Sequence, residues 1–87
     1  MRIDKFLKVS RIIKRRVVAK DAILLDRIFV NNSLVKPSKQ LKIDDIITLH
    51  LGSKVITVKV ISFDVKNKEE MYQLISEEKR SNWSFFK

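Results

Sequence analysis

The sequence predicts an α+β domain, with two N-terminal helices on a small antiparallel sheet and a further helix at the C-terminal end. Three observations favour it. Apolar residues recur at helical spacing before residue 26, a period of two begins at residue 27, and helical spacing returns at residue 68. With 87 residues, 45% of them hydrophobic, the chain has the length of one domain with a modest core.

The two N-terminal helices are predicted over residues 4–10 and 14–25. Asp4 is the expected N-cap of the first, because a carboxylate accepts the unpaired N–H groups of a first helical turn. In the second, Val18, Ala22 and Leu25 repeat at i, i+4 and i+7 and are expected to face the core.

The strands are predicted from alternation and turn residues. Residues 27–30 form a short strand that ends at Asn31-Asn32, and residues 46–51 and 55–63 form a hairpin around Gly52-Ser53. Because the chain has one glycine and one proline, Asn and Asp must supply the turn positions that need positive φ. The candidates are Asp26, Asn31, Asn32, Asp44 and Asp45.

The C-terminal helix is predicted over residues 68–80. Met71, Leu74 and Ile75 form its apolar stripe, which is more typical of core packing than of a binding site. The tail that follows holds three aromatic residues, which either stack on nucleotides or pack loosely on the domain. They are Trp83, Phe85 and Phe86.

The net charge of +9 is concentrated at the N-terminal end, where the first 20 residues hold eight basic side chains and one acidic side chain. A folded cationic surface on a small chain most often binds a polyanion, and RNA is the usual one, although a solvated helix face is the simpler alternative. The candidate RNA-binding residues are Arg2, Lys5, Lys8, Arg11, Lys14, Arg15, Arg16 and Lys20.

Other function classes are disfavoured by what the sequence lacks. Without cysteine and with His50 as the single histidine, a metal site or a thiol nucleophile is not expected. No serine has the neighbouring base and acid of a nucleophile, and no glycine-rich phosphate loop is present. We therefore expect a non-enzymatic protein without a cofactor. The charged start is unlike a signal peptide and no apolar run approaches about 20 residues, so a cytoplasmic location is expected.

Five stretches in order resemble the RNA-binding domain of small-subunit ribosomal protein four, an αL RNA-binding motif. They are Arg2–Leu7, Arg15–Ala19, Arg27–Asn31, Val35–Ser38 and Asp45–Thr48. The opening MRIDKFLKVSRIIKRR and the chain length are similar to the RqcP (YabO) family, stand-alone domains of this type in bacterial ribosome-associated quality control. The small ribosome-associated heat-shock proteins are a related family.

The resemblance implies an RNA-binding domain at residues 1–65, followed by a C-terminal helix and aromatic tail at residues 66–87. It implies contact with large-subunit rRNA and with peptidyl-tRNA on an obstructed large ribosomal subunit. It also implies that the tRNA is held while RqcH extends the stalled nascent chain with alanine. Carried over by position, Arg2 and Arg16 are the main contacts. No sequence feature demands a dimer, so a monomer is expected.

Departures from the family pattern affect the turns. Positions that usually hold glycine carry Asp26, Asn32 and Asp44, and the second helix opens with Lys14-Arg15 where a serine is usual.

The alternative functions are a general rRNA-binding ribosome assembly factor, an RNA chaperone, or a basic adaptor on membrane surfaces.

Overall fold

The structure is a computed structural model that describes residues 1–67 and 70–79. Two helices are followed by five strands, which form one antiparallel sheet in the order β2-β1-β3-β4-β5. The elements are α1 Ile3–Val9, α2 Arg16–Leu24, β1 Ile28–Val30, β2 Ser33–Leu34, β3 Ile46–Leu51, β4 Lys54–Val60 and β5 Tyr72–Lys79. The predicted α+β class, with two helices against an antiparallel sheet, is confirmed.

The core lies between α1 and the sheet. Ile3, Phe6 and Leu7 on α1 are fully buried, and they belong to one cluster with alternate residues of β3 and β4, including Ile47 and Val58. Burial of a side chain of this size stabilises a fold by about 1.5–3 kcal/mol, so α1 is the helix that the core holds most firmly.

The N-terminus of α1 is stabilised differently from the prediction. Asp4 is not the N-cap: Arg2 occupies that position and makes no side-chain cap hydrogen bond, although the Asp4 carboxylate does accept one from the first-turn N–H of Lys5. Instead the N–H groups of Ile3 and Asp4 donate to the carbonyls of Lys39 and Pro37, at 2.8 and 3.4 Å. A tertiary contact with the segment before β3 therefore takes the place of an N-cap side chain, and the Asp4 carboxylate has lone pairs left for partners other than the Lys5 N–H.

The face of α2 that meets the core is also different. Ala19 and Ile23 are buried and Ala22 is partly buried, whereas Val18 and Leu25 are 50% and 63% exposed. Both sets satisfy helical spacing, so periodicity alone does not choose between them. The face with Ala19 and Ile23 is the one that packs against α1 and β1.

The predicted C-terminal helix over residues 68–80 is wrong. Tyr72–Lys79 forms β5, which pairs antiparallel with β4 and has a register shift between Thr57 and Val58. Of its expected apolar stripe, only Met71 is buried. The helix-forming residues of this segment are overridden because its backbone pairs with β4 along Lys54–Val60 and because Met71 is buried in the core, although β5 is itself an edge of the sheet. The aromatic tail lies outside the described residues.

The predicted turn chemistry is confirmed at four of its five positions. Asp26, Asn31, Asn32 and Asp44 have φ of 60°, 51°, 67° and 74°. Asn31 and Asn32 connect β1 to β2 through a two-residue loop, and positive φ at both positions is the pattern of a type I′ turn. Asp45 has no positive φ, and its side chain instead accepts hydrogen bonds from Lys42 N–H and the Asn31 amide.

Asp26 ends α2 in a Schellman motif. Its N–H donates to the Ile23 carbonyl at 3.1 Å, and the Arg27 N–H donates to the Ala22 carbonyl at 3.0 Å. Within the part of the chain that the structure describes, the Asp26 side chain makes no hydrogen bond or ion pair. Asp26 therefore contributes to the helix end only through its backbone conformation.

We predict that Asp26→Gly raises the free energy of unfolding by about 0.5–1 kcal/mol, because glycine adopts positive φ without the clash of a Cβ atom. Asp26→Ala should lower it, because alanine tolerates this conformation less well than aspartate. Urea denaturation of both variants would check this. Equal stability of the two variants would contradict the assigned strain.

Candidate nucleic-acid interface

All eight predicted RNA-binding side chains are exposed, and they lie just before and on α1, on the segment between the helices and on α2. The connection between the helices is short, and α1 and α2 pack together on one side of the domain. The cationic residues therefore occupy a folded surface, although the structure divides them into separate groups.

The first group is a cluster of Arg2, Asp4 and Arg16. One guanidinium nitrogen of Arg2 lies 3.2 Å from Oδ2 of Asp4, and one of Arg16 lies 3.3 Å from Oδ1. The Asp4 carboxylate is almost fully buried, whereas the two arginine side chains are 44% and 47% exposed. Each arginine therefore has one side held by the carboxylate and N–H groups still accessible to a ligand.

Asp4 also accepts a hydrogen bond from the Lys5 N–H at 2.8 Å. Burial raises the pKa of its carboxyl, but the hydrogen bonds from Arg16 and Lys5 and the charges of Arg16 and Arg2 outweigh burial. The net result is a pKa below the usual aspartate value. Asp4 thus stays ionised at neutral pH and fixes two guanidinium groups at neighbouring positions.

The second group comprises Lys8, Arg11 and Lys14, which line an open groove together with Val9 and Val65. The groove lies at the end of α1, and Val65 comes from the loop between β4 and β5. The sequence indicated the cations but gave no signal that a valine some 50 residues away would lie beside them.

The remaining predicted residues are Lys5, Arg15 and Lys20. They are exposed, and in the described ranges their side chains have no ion pair. Arg15 is the N-cap of α2, whose first turn has neither a capping side chain nor an acidic residue. The uncapped N–H groups add partial positive charge beside Arg16, which favours an anionic ligand there.

The positioning role of Asp4 was missed by the sequence analysis, which assigned it to a cap. A signal was present, because Asp4 is the one acidic residue among the first 20 residues. Coulomb attraction favours an ion pair for a lone carboxylate among eight cations, but only the fold shows which cations it contacts.

Residues 1–67 and 70–79 contain no group of three or more side chains suited to a metal ion. The His50 ring instead lies edge-on to Phe29, with the ring centroids 5.5 Å apart. In the same ranges, no helix combines the length and apolar character needed to cross a bilayer.

We predict that Asp4→Asn lowers the free energy of unfolding by about 1–3 kcal/mol, because the amide NH₂ cannot accept a hydrogen bond from a guanidinium. Asp21→Asn is the matched control, since Asp21 is exposed and its loss should change stability by less than about 0.5 kcal/mol. Thermal and urea unfolding would measure both.

The same cluster predicts a pH dependence. The folded-state pKa of Asp4 is depressed, so its stabilisation is complete above the unfolded aspartate pKa of about 3.9 and is lost as pH falls through the lower folded value. Wild type should therefore lose more stability than Asp4→Asn between about pH 5 and pH 2. Parallel stability curves for the two proteins would contradict the assigned ion pairs.

Comparison with known proteins agrees with the fold. The S4 domain family matches residues 1–47. The chain is 48% identical over 81 residues to the RQC P-site tRNA stabilizing factor of Streptococcus pneumoniae, covering 88% of this chain and 92% of that protein. It is 46% identical over 83 residues to the factor of the same name from Bacillus subtilis, covering 91% and 96%.

A solved structure shows the same architecture. The trimeric structure of Vibrio cholerae Heat Shock Protein 15 matches with a TM-score of 0.80 and 25% identity, covering 87% of this chain and 82% of that one. The resemblance drawn from the sequence is confirmed: the chain has an S4 domain and belongs to the family of RQC P-site tRNA stabilizing factors.

Proposed function

We propose that this protein binds large ribosomal subunits that are obstructed by peptidyl-tRNA, contacts rRNA and tRNA, and stabilises the tRNA in the P site. It would do so in the cytoplasm, as a binding factor without catalytic chemistry. The names of its relatives support the setting. The structural observation that carries the proposal is the cluster in which buried Asp4 holds Arg2 and Arg16 half-exposed.

The cluster suits a phosphate backbone for a physical reason. A guanidinium presents five N–H donors in a planar fork, so an arginine that gives one edge to Asp4 keeps others for phosphate oxygens. Two such groups on one carboxylate are ordered before the ligand arrives, which lowers the entropic cost of binding. Lys5, Arg15 and Lys20 extend the positive charge around them. Phosphate contacts of this kind position a protein on RNA without reading its sequence.

In this proposal the protein supports RqcH, which adds alanine residues to the stalled chain. Elongation requires that the peptidyl-tRNA keep one position through repeated cycles, and a protein bound to both rRNA and tRNA restricts its movement. A single chain supplies both arginines of the cluster, so a monomer is sufficient for binding.

We predict that Arg16→Ala weakens co-sedimentation with purified large subunits carrying peptidyl-tRNA by about 10-fold, as expected for a charge-assisted contact worth ~1.5 kcal/mol. Lys54→Ala removes the same charge from the start of β4, where the ion pair to Glu77 spans 3.9 Å and contributes little. It should bind like wild type. Since Arg16 also stabilises Asp4, unfolding of each variant should be measured so that binding is compared only between folded proteins.

Subunits with and without peptidyl-tRNA separate this function from its alternatives. Tighter wild-type binding when peptidyl-tRNA is present would support tRNA stabilisation. Equal binding to both preparations would favour a general rRNA-binding assembly factor or RNA chaperone. Binding to anionic vesicles but to neither subunit preparation would favour the membrane adaptor.

The salt dependence provides an independent prediction. About five phosphate contacts give a log–log slope of affinity against salt concentration near −4 to −5. Arg16→Ala should reduce the magnitude of the slope by about 1, because one fewer counterion is released. Fluorescence anisotropy with labelled RNA at 50–300 mM salt would measure it, and an unchanged slope would remove Arg16 from the interface.

A further inference from the structure

The groove at the end of α1 differs in chemistry from the cluster around Asp4. It has a volume of about 670 Å³ and is lined by Lys8, Val9, Arg11, Lys14 and Val65. The lining thus combines three cations with two apolar side chains and contains no carboxylate. In the described part of the chain the three cations have no ion pair, so their charge is available to a ligand.

Arg11 has an unusual backbone, with φ of 65° just beyond the end of α1. Its N–H donates to the Lys8 carbonyl at 3.1 Å, while the Ile13 N–H reaches the Leu7 carbonyl at 3.0 Å. The nearby Ser10 is buried, and its hydroxyl also points to the Leu7 carbonyl, at 3.4 Å. The backbone is therefore held in this conformation by its surroundings.

An arginine at position 11, where φ is positive, lowers the stability of the folded protein. Glycine is usual just beyond a helix end with positive φ, and a side chain with a Cβ costs about 1–2 kcal/mol there. The other non-glycine positions of positive φ in the described ranges are all Asn or Asp, which tolerate it best. A long cationic side chain at the one exceptional position indicates that the guanidinium itself is used.

The ligand must combine an apolar surface with negative charge. A base-paired RNA helix presents phosphates but buries the faces of its bases, so it would leave the two valines without a partner. An unpaired nucleotide presents both a base face and its flanking phosphates. The groove volume lies within the range of about 300–1,000 Å³ typical of small-ligand sites, which is enough for one nucleotide.

We propose that this groove binds a single unpaired nucleotide of the RNA, with its base against Val9 and Val65 and its phosphates on Lys8, Arg11 and Lys14. The proposal rests on the proposed RNA-binding function and adds the class of RNA element that the surface selects. The cluster around Asp4 would hold the backbone, while the groove would recognise a site where the duplex is interrupted.

The test compares three RNA hairpins of equal length by fluorescence anisotropy: one with a single bulged nucleotide, one with an abasic residue at the bulge, and one fully paired. Wild type should bind the bulged hairpin about fivefold more tightly than the abasic one, as burial of one base face on two valines predicts. Val65→Ser should reduce this ratio toward one and leave the affinity for the abasic hairpin unchanged.

Arg11→Gly separates binding from folding. It removes the guanidinium and relieves the backbone, so the melting temperature should stay the same or rise while affinity for the bulged hairpin falls about 10-fold. Arg11→Lys keeps the charge and should bind more tightly than Arg11→Gly. Wild-type affinity in Arg11→Gly, or an equal loss on all three hairpins in Val65→Ser, would overturn the proposal.

Two further outcomes distinguish this proposal from the broader function. Wild-type protein that binds large subunits through Arg16 but shows no preference among the hairpins, or no binding to them, would reject the groove and leave the proposed function intact. Adenosine monophosphate that competes with the bulged hairpin at equal concentration would assign the groove to a free nucleotide instead of an RNA chain.

Discussion

The ion pairs of Asp4 join the parts of this protein that matter most for its proposed function. A carboxylate on α1, removed from water, holds one arginine from the N-terminal segment and one from the start of α2. The Asp4 N–H donates to the Pro37 carbonyl, so the same residue also connects the helices to the segment before β3. A buried carboxylate without partners would be strongly destabilising, so both arginines and the Lys5 N–H contribute to keeping it buried and ionised.

The arrangement reconciles folding with RNA binding. A dense cationic surface destabilises a small domain by self-repulsion. The buried negative charge of Asp4 offsets part of that repulsion and leaves Arg2 and Arg16 about half-exposed for the proposed ligand. Arg11 shows the opposite balance, because its backbone conformation costs stability and its side chain faces a groove with other cations. On this surface the fold thus orders Arg2 and Arg16 firmly and holds Arg11 in a strained backbone conformation.

Part of the fold could be predicted because local chemistry determines it. The alternation of apolar and polar residues predicted β3 and β4. Because glycine is scarce, positive φ was predicted at Asp26, Asn32 and Asp44, which do adopt it. The predictions were wrong where the local sequence is compatible with two different structures. The core face of α2 was misassigned because two apolar stripes share one period, and β5 was predicted as a helix because its pairing with β4 is a long-range contact.

The sequence alone determined the family, the α+β class and the identity of the cationic residues, because composition, motif order and charge are properties of the chain itself. The tertiary structure decided how those residues are grouped. Arg2, Asp4 and Arg16 meet because α2 folds back beside α1, and Val65 reaches Arg11 because the sheet places the β4–β5 loop at the end of α1. Such contacts join positions far apart in the chain, and they depend on packing that no local pattern encodes.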